Sequence, residues 1–401
     1  MQAQHVLIIG AGVAGPVAAM ALQRAGIPAT VYEAYPTTAH GIGAAMGLAA
    51  NGQDALNTLG LGDQVRAIGI PAPKMAMVNG SGRVLTEIAN GLTLADGTTN
   101  LTVRRADLYE VLHDEAVRRG VPIEHGKRLT GYDETADGVI ARFDDGTEVL
   151  GDLLIGADGM HSAVRKAVAP DAPRPEYTGL AGTGGYARGL DLDLPSDTFY
   201  FVFGKRAFFG YQTVSLDEVL WFANVPTPIE PAQAELDGRT YEWTRKKLVG
   251  LFEADNSPAR LLIEATDEYI GWLTMHQMAA PATWYGRRAV LIGDAAHVTS
   301  SSSGQGASLA IEDALELTRC LRDEPDSGAA FAAYQRLRED RVNKVYVTAK
   351  KINSSKAAGP VGRVLRDLLL PVFAKRMAKP ESVGWLHGHH IEFDKPVTHA
   401  A

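Results

Sequence analysis

One cysteine in 401 residues leaves no intramolecular disulfide and no multi-cysteine metal cage. That residue, Cys320, falls at a core position of a helix-like segment, and a reducing cytoplasm is the expected compartment. No long Lys/Arg run offsets the formal charge of -8, which excludes a nucleic-acid footprint and leaves a small-molecule partner as the expectation. A run of about eighteen apolar residues is also missing, and no basic stretch precedes the short apolar run in "MQAQHVLIIGAG". The expectation is a soluble, cytoplasmic chain without membrane association; the oligomeric state is left open. Aromatic residues make up only 7% of the chain but are unevenly spread, with nine between Phe199 and Phe222. What the chain does have is 46% hydrophobic residues, enough for a large core and, at this length, for two domains or one with a large insertion.

The N-terminal segment through Ala34, "HVLIIGAGVAGPVAAMALQRAGIPATVYEA", reads as a strand, a glycine turn, a helix stopped by Gly26 and a second strand ending at Glu33. Farther on, a helix from about Asp107 to Arg119 precedes a strand pair in "GVIARFDDGTEVL" and a buried strand, "DLLIG", which opens into "ADGMHSAVR". A third junction joins the strand-like "RRAVLIGD" to the helix-like "GASLAIEDALELTRCL" through four serines. Residues 171 to 270 differ in character, with period-2 apolar runs such as "TFYFVFGKRAFFGYQTV" that predict an antiparallel sheet, extended by a hairpin at 74 to 88. The last seventy residues read as helices with a polar tail after Pro380.

Gly10-x-Gly12-x-x-Gly15 stands after a strand and before a helix. Those glycines permit a tight turn and close approach of a pyrophosphate to the backbone, and the helix N-terminus offers unpaired N–H groups to the anion. Glu33 ends the second strand, where a carboxylate can accept bonds from ribose hydroxyls. Together these indicate a dinucleotide without choosing between FAD and NAD.

"DLLIGADGMHSAVR" and "AVLIGDAAHVTSSSSGQGASLAIEDA" resemble the paired signatures of the single-component FAD-dependent aromatic hydroxylases and their antibiotic- and polyketide-modifying relatives. The resemblance spans about residues 1 to 345. It implies an α/β fold: a Rossmann-like FAD-binding domain (1–73, 100–170 and 271–330), an inserted antiparallel substrate domain (74–99 and 171–270) and C-terminal helices with a tail (331–401). The implied cofactor set is FAD, NADPH or NADH as transient reductant, and O2. The implied reaction inserts one oxygen atom into an aromatic or polyketide-like molecule through a flavin C4a-hydroperoxide.

Carried onto this sequence, the resemblance assigns FAD contacts to Gly10, Gly12, Ala14, Gly15 and Glu33 in the first segment. Arg105, in "RRADL", is expected on the flavin side of the pocket. Asp158 and Gly159 would form a turn near the pyrophosphate, with Arg165 as a fixed positive charge, and Gly293 and Asp294 would meet the ribityl chain. Gly304, Gln305, Gly306 and Ala307 would hold the flavin ring, with the helix behind them turning its positive end toward the pyrimidine edge. His297, Ser302 and Ser303 are the candidate catalytic side chains.

Two departures accompany the match. Ser300 to Ser303 stand where relatives usually carry prolines, and Ala50 stands before Asn51 where a proline is common. Serines would restore N–H donors and add hydroxyls at the oxygen-reacting face. The aromatic-rich sheet suggests a flat apolar substrate, with Phe203, Tyr211, Trp221 and His276 as candidate pocket residues. "WLHGHH" offers His387, His389 and His390 but no acid at useful spacing, so no metal site is expected. No hydrolase triad and no second nucleotide-binding unit is legible. An FAD-dependent reductase or dehydrogenase is the alternative activity.

Overall fold

The computed structural model describes residues 5–37, 45–190, 192–356, 359–377 and 379–397. Its centre is a five-stranded parallel sheet in the order Ala289–Leu291, Leu153–Gly156, Val6–Ile9, Ala29–Glu33, Ile123–His125. Val6–Ile9 and Leu153–Gly156 are buried throughout. Continuous apolar runs of this kind mark parallel strands covered on both faces. Helices Ala14–Arg24 and Gly306–Asp323 pack together and share the core formed around this sheet. Cys320 lies fully buried there.

A second, seven-stranded sheet runs in the order Thr266–Gln277, Glu176–Arg188, Glu218–Pro226, Phe208–Thr213, Thr198–Phe203, Lys74–Asn79, Val84–Ala89. The 74–88 hairpin joins it as its sequence suggests, but through a parallel pairing with Thr198–Phe203. The sheet is therefore mixed. Helices Tyr241–Phe252 and Ala259–Glu264 cover one of its faces, forming a separate core with Phe209, Trp221 and Trp272. A small sheet of Ala45–Leu48, Leu101–Arg104 and Gly69–Pro71 adds a third element.

After Gly306–Asp323 comes the thirty-residue helix Ser327–Lys356, followed by Pro360–Met377 and Pro380–His387. The polar tail folds back onto the parallel-sheet core and buries Ile391, Phe393 and Val397. Arg322 donates to the carbonyl of Phe393 at 2.7 Å, and the Val397 amide donates to Asp323 at 2.9 Å. Three spaced apolar residues anchor this otherwise polar segment.

Candidate cofactor and substrate site

The glycine turn is built by close approach. Gly10 has φ +106, and a Cβ there would stand 2.5 Å from the carbonyl oxygen of Ala157. At Gly15 a Cβ would come within 1.9 Å of the Gly10 oxygen. Gly12 differs, since nothing lies within 4 Å of its missing Cβ. That open space faces a helix starting at Ala14 with no side-chain cap and no acid in its first turn, so its first amides are available to an anion. Glu33 clamps the turn by accepting from the Ala11 amide at 2.6 Å and the Tyr35 amide at 2.9 Å. An ionised carboxylate with two such bonds still has lone pairs for hydroxyl donors.

Asp294 keeps open surface while protein packs closely around it. That surrounding protein raises its pKa by desolvation, opposed by His297 and by the positive charge of Arg105. Arg105 itself is exposed and donates to the Tyr109 hydroxyl at 2.7 Å. Asp158 is spent differently: its carboxylate accepts from the Ser162 hydroxyl and from the amides of Ala163 and Val164, capping the short helix Ala163–Val168. Gly159 follows with φ +74. Arg165 is 5% exposed and donates to the carbonyls of Ala295 and Met160, so it ties the two signature segments together from behind.

The serine junction has a structural answer. Ser300 and Ser302 both donate to Asn353 Oδ1 on the long helix, while Ser303 donates to the Ser300 carbonyl at 3.0 Å and accepts from the Gln305 amide at 3.2 Å. Ser301 is exposed, its hydroxyl 3.9 Å from the Met275 sulfur. The added hydroxyls thus serve in part as a staple between loop and helix, with Ser302 bound to Asn353 and Ser303 to the Ser300 carbonyl while both stay partly exposed. Ala50 has a similar logic. Its amide donates to Asn100 Oδ1 at 3.0 Å, a bond that proline could not make. Gly304, at φ +62, turns the chain into helix Gly306–Asp323, whose N-terminus again has no side-chain cap and no acid in its first turn. Gln305 accepts from Asn51 at 3.0 Å, while its own Nε2, buried, has no partner among the described residues.

Beneath this loop lies a buried charge network that sequence reasoning missed. Asp313 accepts from the Gly293 amide at 2.9 Å, from His297 Nε2 at 2.7 Å and from Arg338 Nε at 2.7 Å. Glu312 pairs with Arg338 and Arg341 at 2.7 Å each and accepts from Asn51. Burial alone would raise both acids, but His297 and Arg338 outweigh it at Asp313, and Arg338 and Arg341 hold Glu312 down at about 2. His297 is 1% exposed and packs on Trp284. Enclosed in this way, it contacts Asp313, which in turn accepts from the Gly293 amide.

The face of the seven-stranded sheet opposite helices Tyr241–Phe252 and Ala259–Glu264 carries Phe199, Phe201, Phe208 and Phe222 in one ring cluster. Gly210 makes room for it, since a Cβ there would meet the Phe222 ring at 2.4 Å. Phe201 and Phe222 remain partly exposed. Phe203 lies on the same face, covered by the Arg366 guanidinium at 4.5 Å. Tyr211 and Trp221 are corrections: strand alternation points both to the opposite, helix-covered core, where Trp221 stacks on Phe209 and donates to Thr266. His276 is another, held 2.8 Å from Glu230 and packed on Tyr177, while its neighbour Met275 reaches the serine loop. Among the described residues no cluster of three metal-ligating side chains and no membrane-spanning helix occurs.

The site thus offers free amides at two helix N-termini, deep carboxylates able to accept from hydroxyls, and an aromatic wall. The family described as "FAD binding domain" matches residues 3–348. The chain is 33% identical to the aurachin C monooxygenase/isomerase of Stigmatella aurantiaca over 343 residues, 84% of this chain and 86% of that protein. It is also 33% identical to an FAD-dependent urate hydroxylase of Klebsiella pneumoniae over 348 residues, covering 86% and 88%. The crystal structure of Klebsiella pneumoniae HpxO with FAD and uric acid superposes with a TM-score of 0.83, at 29% identity over 95% of this chain and 97% of that one. These relatives carry the oxygen-inserting activity and not the reductase alternative. The chain belongs to the FAD binding domain family and is an FAD-dependent monooxygenase, an oxidoreductase that uses NAD(P)H and O2.

Proposed function

We propose that this monooxygenase acts on a flat aromatic small molecule seated against Phe201, Phe208 and Phe222. The observation that carries this reading is the ring cluster opposite the sheet's helix-packed core, where Phe201 and Phe222 stay partly exposed between Lys356 and Arg366. Relatives named for urate and 6-hydroxynicotinate are consistent with it.

FAD, when bound and reduced by a nicotinamide nucleotide, supplies activation of O2 and transfer of one oxygen atom. The chain's own residues do the placing. The amides around Gly12 and at the start of helix Ala14–Arg24 receive the pyrophosphate. Glu33 would accept from the adenosine ribose, and Asp294 from the ribityl hydroxyls, with the positive charge of Arg105 close to Asp294. Gly304, Gly306 and Ala307 would hold the ring system with their backbone, and the uncapped helix Gly306–Asp323 would offer it its positive end. The aromatic face orients the acceptor and keeps water away from it. The parallel sheet supplies one nucleotide cradle, so the nicotinamide nucleotide visits transiently.

The test is to add a panel of flat aromatic compounds, and of aliphatic ones of similar size, to the FAD-loaded protein with NAD(P)H. At least one of the aromatic members should perturb the flavin absorbance, accelerate NAD(P)H consumption and gain an oxygen atom. A panel in which only aliphatic acceptors do so would overturn the aromatic assignment.

A further inference from the structure

The long helix Ser327–Lys356 ends over the open aromatic face. Asn353 holds the serine loop, and one turn later Lys356 places Nζ 2.9 Å from Asn224 Oδ1 and 4.6 Å from the centroid of the Phe208 ring. A lysine at a helix end ordinarily extends into water. This one is drawn inward, and no carboxylate among the described residues pairs with it. Burial pushes its pKa down to about 7.

Asn224 strengthens the case independently. It is 1% exposed, it gives Oδ1 to the lysine, and its buried Nδ2 has no acceptor among the described residues. The orientation of the amide follows from chemistry, because an ammonium only donates and the oxygen must face it. Gly182 lies beside this donor, 3.7 Å from Nδ2 at the place a Cβ would take, where the flexible Met275 methyl stands 2.7 Å away. Two donors therefore lie side by side at the edge of a ring cluster, with the ammonium short of counter-charge and the amide short of an acceptor. A buried polar group left unpaired is costly, and a ligand oxygen that pairs with both would recover that cost.

We propose that Lys356 and Asn224 anchor an ionised oxygen of the substrate, a phenolate, enolate or carboxylate on a ring that lies against Phe208 and Phe222. Lys356 supplies the charge, Asn224 Nδ2 the directional hydrogen bond, and the rings the apolar contact. The inference rests on the aromatic face being the substrate wall.

The test uses the FAD-loaded protein, titrated by flavin absorbance with para-nitrophenol, benzoate and the neutral para-nitroanisole. Para-nitrophenol or benzoate should bind about tenfold or more tighter than para-nitroanisole, and bound para-nitrophenol should show the yellow, ionised spectrum below its solution pKa. Preference for para-nitrophenol identifies a ring oxygen, and preference for benzoate a carboxylate. Lys356→Met should abolish the preference, Lys356→Arg should retain most of it, and Asn224→Ala should weaken it several-fold. FAD content and thermal melting of each variant report folding. Should the methionine variant misfold, the charged-against-neutral comparison on the unaltered protein still decides. Equal binding of all three probes, or an unchanged preference in a folded Lys356→Met protein, would overturn the anchor. Failure of the aromatic-wall reading looks different: none of the three, charged or neutral, would perturb the flavin, and anchor and wall would fall together.

Discussion

Removing Arg338 should be among the most damaging single changes outside the nucleotide cradle. Its guanidinium is fully buried between Glu312 and Asp313, each also fully buried, in an ion-pair contact of 2.7 Å with Glu312 and a hydrogen bond of 2.7 Å to Asp313. Breaking a buried ion pair from one side costs about 3–5 kcal/mol, because the partner charge is left without compensation. Here Glu312 keeps Arg341 and Asn51, and Asp313 keeps His297 and the Gly293 amide, so the lower end, about 3 kcal/mol, applies to Arg338→Met. With an unfolding entropy of about 2.1 cal/mol/K per residue over this chain, that is a fall in Tm of roughly 4 °C. Arg338→Lys keeps the charge but not the fork that spans two carboxylates, and should fall between. The assay is thermal unfolding of the FAD-loaded protein, followed by far-UV circular dichroism and by release of flavin fluorescence. Flavin release should shift at least as far as the dichroism, since Asp313 holds the Gly293 turn. A Tm for Arg338→Met within about 1 °C of the unaltered protein would refute the claim that these charges support the loop.

Three further outcomes follow from the same structure. Asp294→Ala should be purified with most of its FAD lost, measured as the flavin-to-protein absorbance ratio; a fully yellow preparation would contradict the assignment. Cys320, fully buried with its thiol pushed up to about 12 by burial, should resist alkylation in the native protein and react fully only after denaturation. Glu312 is held at about 2 against an ordinary 4.5, so its contribution is fully present above 4.5 and is lost as pH falls through about 2. Acid melting curves of Glu312→Gln should therefore be flatter than those of the unaltered protein across that window, and an identical slope would remove Glu312 from the account.

The legible parts of this molecule were local ones. The strand–turn–helix around Gly10, the buried strand ending at Gly156 and the strand–loop–helix from Ala289 to Asp323 each carry their signal within a few dozen residues, and each forms. Period-2 runs also located the large sheet. They do not say which face its helices cover, because that depends on segments distant in sequence, and Tyr211 and Trp221 face the helix-covered side. The covering helix did leave a signal: Thr240 as a cap, then Thr244, Leu248 and Phe252 buried at intervals of four. Lys356 and Asn224 lie 132 positions apart, and nothing in either neighbourhood announces the other. The serine run suggests chemistry only while its partner Asn353, some fifty residues away, is out of view. The tail is polar in composition, whereas Ile391, Phe393 and Val397 set its structure.

The central claim is oxygen insertion into an aromatic acceptor, and the most direct test supplies isotopically heavy O2 to the FAD-loaded protein with NAD(P)H and an acceptor that accelerates turnover. Mass spectrometry of the product should show one heavy oxygen atom per molecule, taken from O2 and not from water. A product that carries no oxygen from the gas, formed at the same rate in its absence, would contradict the account.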